Sequence, residues 1–365
     1  MKNNGFFEIS LSLVEGVGPI KAKNLIKHCG SAEAVFTEKR SVLLKIPEVG
    51  EKLVNAINNQ LVFQRAEQEL NFCDHEGIDI LTYQNGNFPK RLLHCPDHPL
   101  VLFRKGVADL NPPKVISIVG TRRVTTQGKK VCEEIIEGLQ ESNVLIVSGL
   151  AFGVDICAHS AALNSNLETV GVLAHGLDRI YPREHSRIAR QMMDQGALLT
   201  EFLSETNPDR ENFPTRNRIV AGMSDATLVI ESQKSGGAMI TANLAFDYFR
   251  DVLAVPGRPD DVFSQGCNNL IRANKAGLVA SADDLLQALN WKENKRKKPV
   301  QTQLLVDLSD EEEQIMNILK ETEKISLDEL GIKVNKTMSQ LAVPLLNLEL
   351  KGVVEALPGK VYRSV

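Results

Sequence analysis

Aromatic residues make up only 5% of the 365 residues, with a single tryptophan at Trp291. Extended base-stacking platforms are therefore disfavoured. No run of about 18 apolar residues occurs, and the start MKNNGFFEISLSLVEGVG has neither a basic leader nor a small-residue cleavage site. A cytoplasmic chain with no membrane partner is expected. The six cysteines form no C-x-x-C pair, which argues against a zinc site and a disulfide framework alike. Charge is nearly balanced, with 42 Lys+Arg against 46 Asp+Glu. Whole-surface attraction to nucleic acid is thus excluded, whereas a local basic groove is not.

The chain does contain an approximate repeat at its start. Val14, Val17, Gly18, Ala22 and Leu25 recur 32 residues later as Ile46, Val49, Gly50, Val54 and Ile57. Apolar residues at helical spacing around a glycine turn read as two helix-hairpin-helix units over residues 1–60. Such a turn presents N–H groups that accept phosphate, and Lys21, Lys23 and Lys27 follow the first turn. In the second unit Glu48 replaces the first turn glycine and Glu51 follows, so a small helical packing module is the simpler expectation.

Residues 61–290 read as one extended core with a lead-in at 61–112. The lead-in holds a helical stretch to Glu76, the strand IDILTY, and prolines at 89, 96 and 99 that forbid a long helix. From Lys114 onward, KVISIVG, NVLIVSG, TVGVLAHG, ALLTEF, ATLVIES, DVLAVPG and GLVAS alternate with helical segments. Short β-branched runs without alternation are strands buried on both faces, which predicts an α/β fold: a Rossmann-like, doubly wound, mostly parallel sheet. The polar stretch 291–307 is a linker. Residues 308–365 read as three helices and a ribbon, a winged helix. Between 301 and 365 there are seven Lys/Arg against eleven Asp/Glu, and the presumed recognition helix from Thr337 to Lys351 has no arginine. A reader of duplex DNA concentrates positive charge there, so a protein-contact or structural module is favoured.

In a doubly wound sheet, ligands bind beyond the carboxyl ends of the strands, so the loops leaving those ends carry the chemistry. After the first strand, Gly120 and Thr121 precede Arg122 and Arg123, guanidinium forks suited to phosphate. This is not G-x-G-x-x-G, so a dinucleotide is not favoured. Ser148, Gly149 and Gly153 follow the second strand and offer N–H groups as a helix begins. Arg216, Asn217 and Arg218 stand at an expected helix start, set either for anionic contacts or for salt bridges to Glu201, Glu205 or Glu211. Lys234, Ser235, Gly236 and Gly237 read as a second phosphate cradle, and Asn268 and Asn269 with Arg272 lie in a further loop. His175 has no metal-spaced partner and no paired nucleophile. Several anion-suited loops on one rim fit a nucleic-acid backbone better than a single nucleotide.

VGTRR, SGLAFGVD, VLAHGLDRIYP, FPTRNRIVAGMSDATLVIES, KSGGAMITA and VPG followed by GCNNLI, in this order, resemble the DprA family, also called Smf. The resemblance spans essentially the whole chain. It implies sequence-independent binding and protection of single-stranded DNA, and loading of the RecA recombinase onto strands covered by single-strand-binding protein during natural transformation. It also implies a homodimer and no catalysis, cofactor or metal. Arg122 matches a main phosphate contact of the family, Lys234 to Gly237 its lysine-serine-glycine-serine loop, and Arg216 to Arg218 its FPxRNR segment. Thr121 replaces the usual serine but keeps a hydroxyl, Gly237 replaces a serine or threonine, and His175 stands where glycine is common. Cys267 and Asn268 fall where the family varies.

Two alternatives come from other classes. A nucleotide phosphoribohydrolase on a related Rossmann core uses a glutamate soon after its glycine loop, and SGGAMITANLA has no carboxylate there. A transcriptional regulator reading DNA through its winged helix is opposed by the acidic tail.

Overall fold

The computed structural model describes residues 5–292, 308–322, 324–357 and 360–364. The chain divides into two compact units, Met1–Lys292 and Glu293–Val365. The linker expected at 291–307 lies outside the described residues from residue 293 on. Trp291 does not belong to it, because it packs against the core of the first unit.

The first unit is built on a nine-stranded sheet: β1 Asp79–Thr82, β2 Val101–Gly106, β3 Lys114–Val119, β4 Val144–Gly149, β5 Thr169–Val172, β6 Ala197–Thr200, β7 Ala226–Val229, β8 Asp251–Ala254 and β9 Gly277–Leu278. The order is β1-β2-β6-β5-β4-β3-β7-β8-β9. All pairs from β6 to β9 are parallel, and β1–β2 and β2–β6 are antiparallel. The sequence runs assigned as strands from Lys114 on are all present. The lead-in contributes more than a connection, since VLFRKG forms β2 and carries β1 onto the sheet. Its prolines mask this strand in the sequence, because they precede it rather than interrupt it.

Helices cover both faces. Ile116 and Ile118 of β3 pack with Cys132, Ile135 and Ile136 of α1 (Thr126–Glu137) and Val154 and Ala158 of α2 (Val154–Asn164). Val115 and Val119, on the opposite face of the same strand, pack with Ile219 and Val220 of α3 (Asn212–Gly222) and Ala238 and Ala242 of α4 (Gly237–Asp247). Successive side chains of a strand point to opposite faces, so an unalternating apolar run fills two cores at once. From β3 the chain winds out to β4, β5 and β6, then returns through α3 to β7 on the other side of β3. The winding direction reverses between β3 and β7, which places the crevice at their carboxyl ends.

The N-terminal helices pack as the repeat predicts. Gly16 (φ 83°) and its counterpart Glu48 (φ 64°) both adopt the left-handed conformation, so the second turn keeps its shape without a glycine. Glu51, at the start of the following helix, pairs with Arg40 at 3.2 Å. Lys23 is bonded to the carbonyl of Pro96. The apolar core of these helices runs on past residue 60 to Val101 and Phe103 of β2. Glu69, buried on helix Leu61–Glu76, accepts the Ser204 hydroxyl at 2.6 Å and the Ser204 N–H, clasping the loop after β6.

The second unit contains helices Asp310–Glu321, Leu327–Val334 and α5 (Met338–Leu350), with strands Ile325–Ser326, Val354–Leu357 and Val361–Ser364 in one sheet. Ser309 and Glu312 form a capping box at its first helix. This is the three-helix and ribbon order of a winged helix. No helix among the described residues is long and apolar enough to cross a membrane.

Candidate functional site

A cavity of about 270 Å³ opens at the β3/β7 reversal. It is lined by Gly120 to Arg122 after β3, Gly149 and Ala151 after β4, Phe213, Arg216 and Asn217 of α3, and Ser235 to Gly237 leading into α4. Four of the loops singled out in the sequence thus meet at one place, because each leaves the same edge of the sheet.

Glycine sets how closely these loops approach. A β-carbon on Gly120 would stand 2.3 Å from Val154 Cγ2, and one on Gly153 (φ 82°) 2.1 Å from the Thr121 carbonyl oxygen. The loop is also pinned by hydrogen bonds: Thr121 N–H donates to the Glu231 carbonyl at 2.8 Å, and Val154 N–H donates to the Thr121 carbonyl at 3.1 Å. The Glu231 carboxylate accepts the Thr125 N–H at 2.9 Å and the Thr125 hydroxyl, fixing the start of α1. Arg122 and Arg123 remain exposed on this rigid turn. The Arg122 guanidinium lies 5.2 Å from the centroid of the Phe213 ring.

The three polar residues of α3 have different fates. Arg216 is buried beside the cavity, donates to the Val172 carbonyl, and donates from Nε to Asn217 Oδ1 at 3.1 Å. Its charge faces Asp155, whose carboxyl is pushed up to about 6 by burial, with the guanidinium opposing that rise. Burial lowers the Arg216 pKa and the Asp155 charge opposes the fall. Asn217 reaches toward the Gly237 carbonyl at 3.5 Å. Arg218 is turned away from the cavity. It is ion-paired with Glu201 and donates to the Asp97 carbonyl. Of the two expectations for this segment, the salt bridge holds for Arg218.

On the opposite wall α4 begins at Gly237 with no side-chain cap, so its first N–H groups face the cavity mouth. Gly236 sits at φ 140°, and a β-carbon there would meet nothing within 4 Å. This glycine is required by its backbone angle, not by crowding. Lys234 and Ser235 are exposed beside it.

Other residues named from the sequence lie elsewhere. Ser148 is fully buried within β4, and its hydroxyl donates to the Ile118 carbonyl at 2.6 Å. Gly153 supports the β3 loop from behind. Asn268 spends its side chain on both polar backbone groups of Gly257, and Asn269 accepts from Arg272 at 2.9 Å. Asn268 thus ties the helix Gln265–Arg272 to the loop at Gly257, Asn269 bonds within that helix, and neither lines the cavity. His175 is buried, its pKa is lowered by desolvation, and its Nδ1 bonds the Gly176 carbonyl at 2.8 Å.

The sequence reading passed over Phe213 and Asp155, which line the cavity, and the half-exposed Phe152 and Tyr181 next to it. The low aromatic content hid this local cluster. The FPTRNR string carried the one available signal, placing Phe213 three residues before Arg216.

Guanidinium groups, an uncapped helix start and glycine-bared backbone converge on one mouth, which suits a phosphate. Among the cavity-lining residues the one carboxylate is Asp155, and it faces Arg216. No group of three or more His, Cys, Asp or Glu that could hold a metal occurs among the described residues.

Residues 79–290 match the family model of DNA recombination-mediator protein A, and residues 299–360 match that of the DprA winged helix domain. The chain is 32% identical to protein Smf of Synechocystis over 97% of both chains. The DNA processing protein A of Streptococcus pneumoniae is similar in structure with a TM-score of 0.64 at 29% identity, covering 79% of this chain and 98% of that one. The DNA processing protein A of Helicobacter pylori, whose single-stranded DNA binding mode has been described, has a TM-score of 0.53 at 28% identity, covering 59% of this chain and 97% of that one.

Proposed function

The chain belongs to the DNA recombination-mediator protein A family, and from that premise we propose that it holds single-stranded DNA by its backbone at the β3/β7 mouth. The observation that carries this reading is the meeting of Arg122, Arg216 and the uncapped start of α4 around one cavity whose single carboxylate is already faced by an arginine. Phosphate is what such a mouth selects, and phosphate contacts carry no base sequence. Gly120, Thr121, Arg122, Arg123, Gly149, Arg216, Asn217, Lys234, Ser235, Gly236 and Gly237 are the contact set of this proposal. Gly153, Arg218 and Asn268 support the loops, Ser148 ties β4 to β3, and Asn269 bonds within its own helix.

The bound strand is shielded from nucleases and passed to RecA recombinase in place of single-strand-binding protein, in the cytoplasm of a transforming cell. A homodimer doubles the groove and raises avidity. The exposed Leu278 on the edge strand β9, and the exposed Phe246 beside Lys275, favour that edge for the second copy. Lys275 ties this region together, bonding Asn243 at 3.2 Å and lying 5.3 Å from the Phe246 ring centroid.

The protein acts by binding, not by catalysis. The rival phosphoribohydrolase needs a carboxylate early in α4, and none occurs there before Asp247. The test is a titration of fluorescent single-stranded and duplex oligonucleotides with the native protein and Lys234→Ala at two salt concentrations. Salt-sensitive preference for the single strand, weakened in the variant, supports the proposal. Equal binding by both proteins, or release of ribose 5-phosphate from a nucleotide, overturns it.

A further inference from the structure

The cavity at the β3/β7 reversal does not end at its arginines. Arg122, Ala151, Phe213 and Arg216 also line a narrow cleft whose far side is Phe152, Tyr181 and Pro182. Those three residues in turn line an open groove of about 690 Å³, together with Ile180, Pro208 and four charged residues. One continuous surface thus runs from the phosphate mouth, past two guanidinium groups, onto a pair of aromatic rings. Phe152 and Tyr181 are 45% and 48% exposed.

Both rings are packed against neighbours. The rings of Phe152 and His185 meet edge to face with 4.8 Å between centroids, and His185 Nδ1 bonds the Leu150 carbonyl at 2.9 Å. Tyr181 lies 6.5 Å from the Phe213 ring, and Phe213 has the Arg122 guanidinium at 5.2 Å and that of Arg216 at 5.9 Å. Phe213 therefore joins the charged mouth to the aromatic groove. The groove itself has no excess of positive charge, since Arg179 pairs with Asp178 at 2.7 Å and Arg183 is balanced by Glu184. Rings on a surface without net charge suit the flat, uncharged part of a nucleotide and not its phosphate.

We propose that the groove at Phe152 and Tyr181 takes a nucleobase of the strand whose phosphate sits at the mouth, and that this contact selects single strands over duplex. The proposal rests on the reading of the mouth as a phosphate site. Phosphates are offered alike by single and double strands, so the mouth alone does not distinguish them. A base inside a duplex is paired and stacked between its neighbours, and it reaches a protein ring only by being flipped out at a cost. In a single strand that cost is small. Stacking also leaves the site indifferent to sequence, because every base has a π-face. A protein side chain is a poorer occupant, since the groove opens directly onto the mouth and the bases of a strand held there are the nearest flat groups.

The test uses the full chain with an ordinary single-stranded oligonucleotide, a base-free oligomer of the same length, the corresponding duplex, and a strand carrying the fluorescent base 2-aminopurine. The native protein is expected to bind the ordinary strand about tenfold more tightly than the base-free one and to quench the 2-aminopurine fluorescence, as stacking does. Tyr181→Leu keeps the apolar cover and removes the ring. In this variant the tenfold ratio and the quenching are lost, while the affinities for the base-free oligomer and for duplex stay as in the native protein. Phe152→Leu, on the other side of the groove, gives the same answer if Tyr181→Leu fails to fold. Equal binding of the ordinary and base-free strands by the native protein overturns the proposal and leaves the mouth as a phosphate site, with the rings free for a protein partner. So does a folded variant that keeps both the ratio and the quenching. If Arg122→Ala binds the base-free oligomer as tightly as the native protein does, the reading of the mouth itself falls and the proposal falls with it.

Discussion

A β-carbon built on Gly149 would stand 2.7 Å from both terminal nitrogens of Arg216. The same atom would lie 2.5 Å from Asp155 Oδ2, so the missing side chain at the end of β4 is what lets this buried pair sit against the backbone. Gly149→Ala must displace the guanidinium. A loss of about 1–3 kcal/mol of stability is expected from overpacking. Single-stranded DNA binding is expected to fall with it, measured on protein kept well below its unfolding temperature. Unchanged affinity in a folded Gly149→Ala protein would remove Arg216 from the binding set.

Arg122 stands exposed on a rigid turn with the Phe213 ring as its described side-chain contact, so its removal costs little packing. Arg122→Ala is expected to keep the thermal midpoint while weakening single-stranded DNA binding about ten- to hundredfold, the worth of a charge-assisted hydrogen bond. The loss should be the same for homopolymers of different base, and the slope of log affinity against log salt should fall by about 0.7–1. Fluorescence anisotropy at several salt concentrations measures both.

Arg218 behaves in the opposite way. Arg218→Ala removes the partner of the buried Glu201 carboxyl, and a loss of about 3–5 kcal/mol is expected in urea denaturation above pH 8, where that carboxyl is ionised in the native protein, shrinking at lower pH as it takes up a proton. Replacing both members by apolar residues, Glu201→Leu with Arg218→Met, should recover most of it.

Burial pushes the Glu201 carboxyl up to about 7 despite the Arg218 charge beside it. Because the folded chain holds this proton more tightly than the unfolded chain, the stabilising contribution is complete below the ordinary carboxyl range. It is lost as pH rises through about 7. The stability of the native protein minus that of Glu201→Gln should therefore fall between pH 4.5 and 8, by roughly 3 kcal/mol. A pH-independent difference would contradict the burial of this carboxyl.

Glu48 occupies the left-handed conformation that its counterpart Gly16 adopts without strain. Glu48→Gly is expected to stabilise the chain by up to about 1 kcal/mol, the steric penalty less the added freedom of the unfolded chain. Differential scanning calorimetry reads this directly, and a lower midpoint would count against it.

The sequence by itself determined the parallel strands from Lys114 on and the rim on which the anion-suited loops meet, though not the antiparallel strand β2. Lys114–Val119 and Val144–Gly149 are apolar without alternation because helices cover both faces of the sheet, and such a run has no other stable place. Gly120 and Gly236 likewise announce loops where backbone must approach a neighbour or adopt angles closed to other residues. What only the tertiary structure decided is which polar side chains reach the mouth. Arg216 and Arg218 are two residues apart on one helix, so they point about 200° apart around its axis. Arg216 lines the cavity with Phe213, whereas Arg218 faces Glu201. Asn268 reads like a rim residue and instead ties down Gly257. Local spacing sets the angle between two side chains of a helix, but the packing of that helix against the sheet sets which of them faces the cavity.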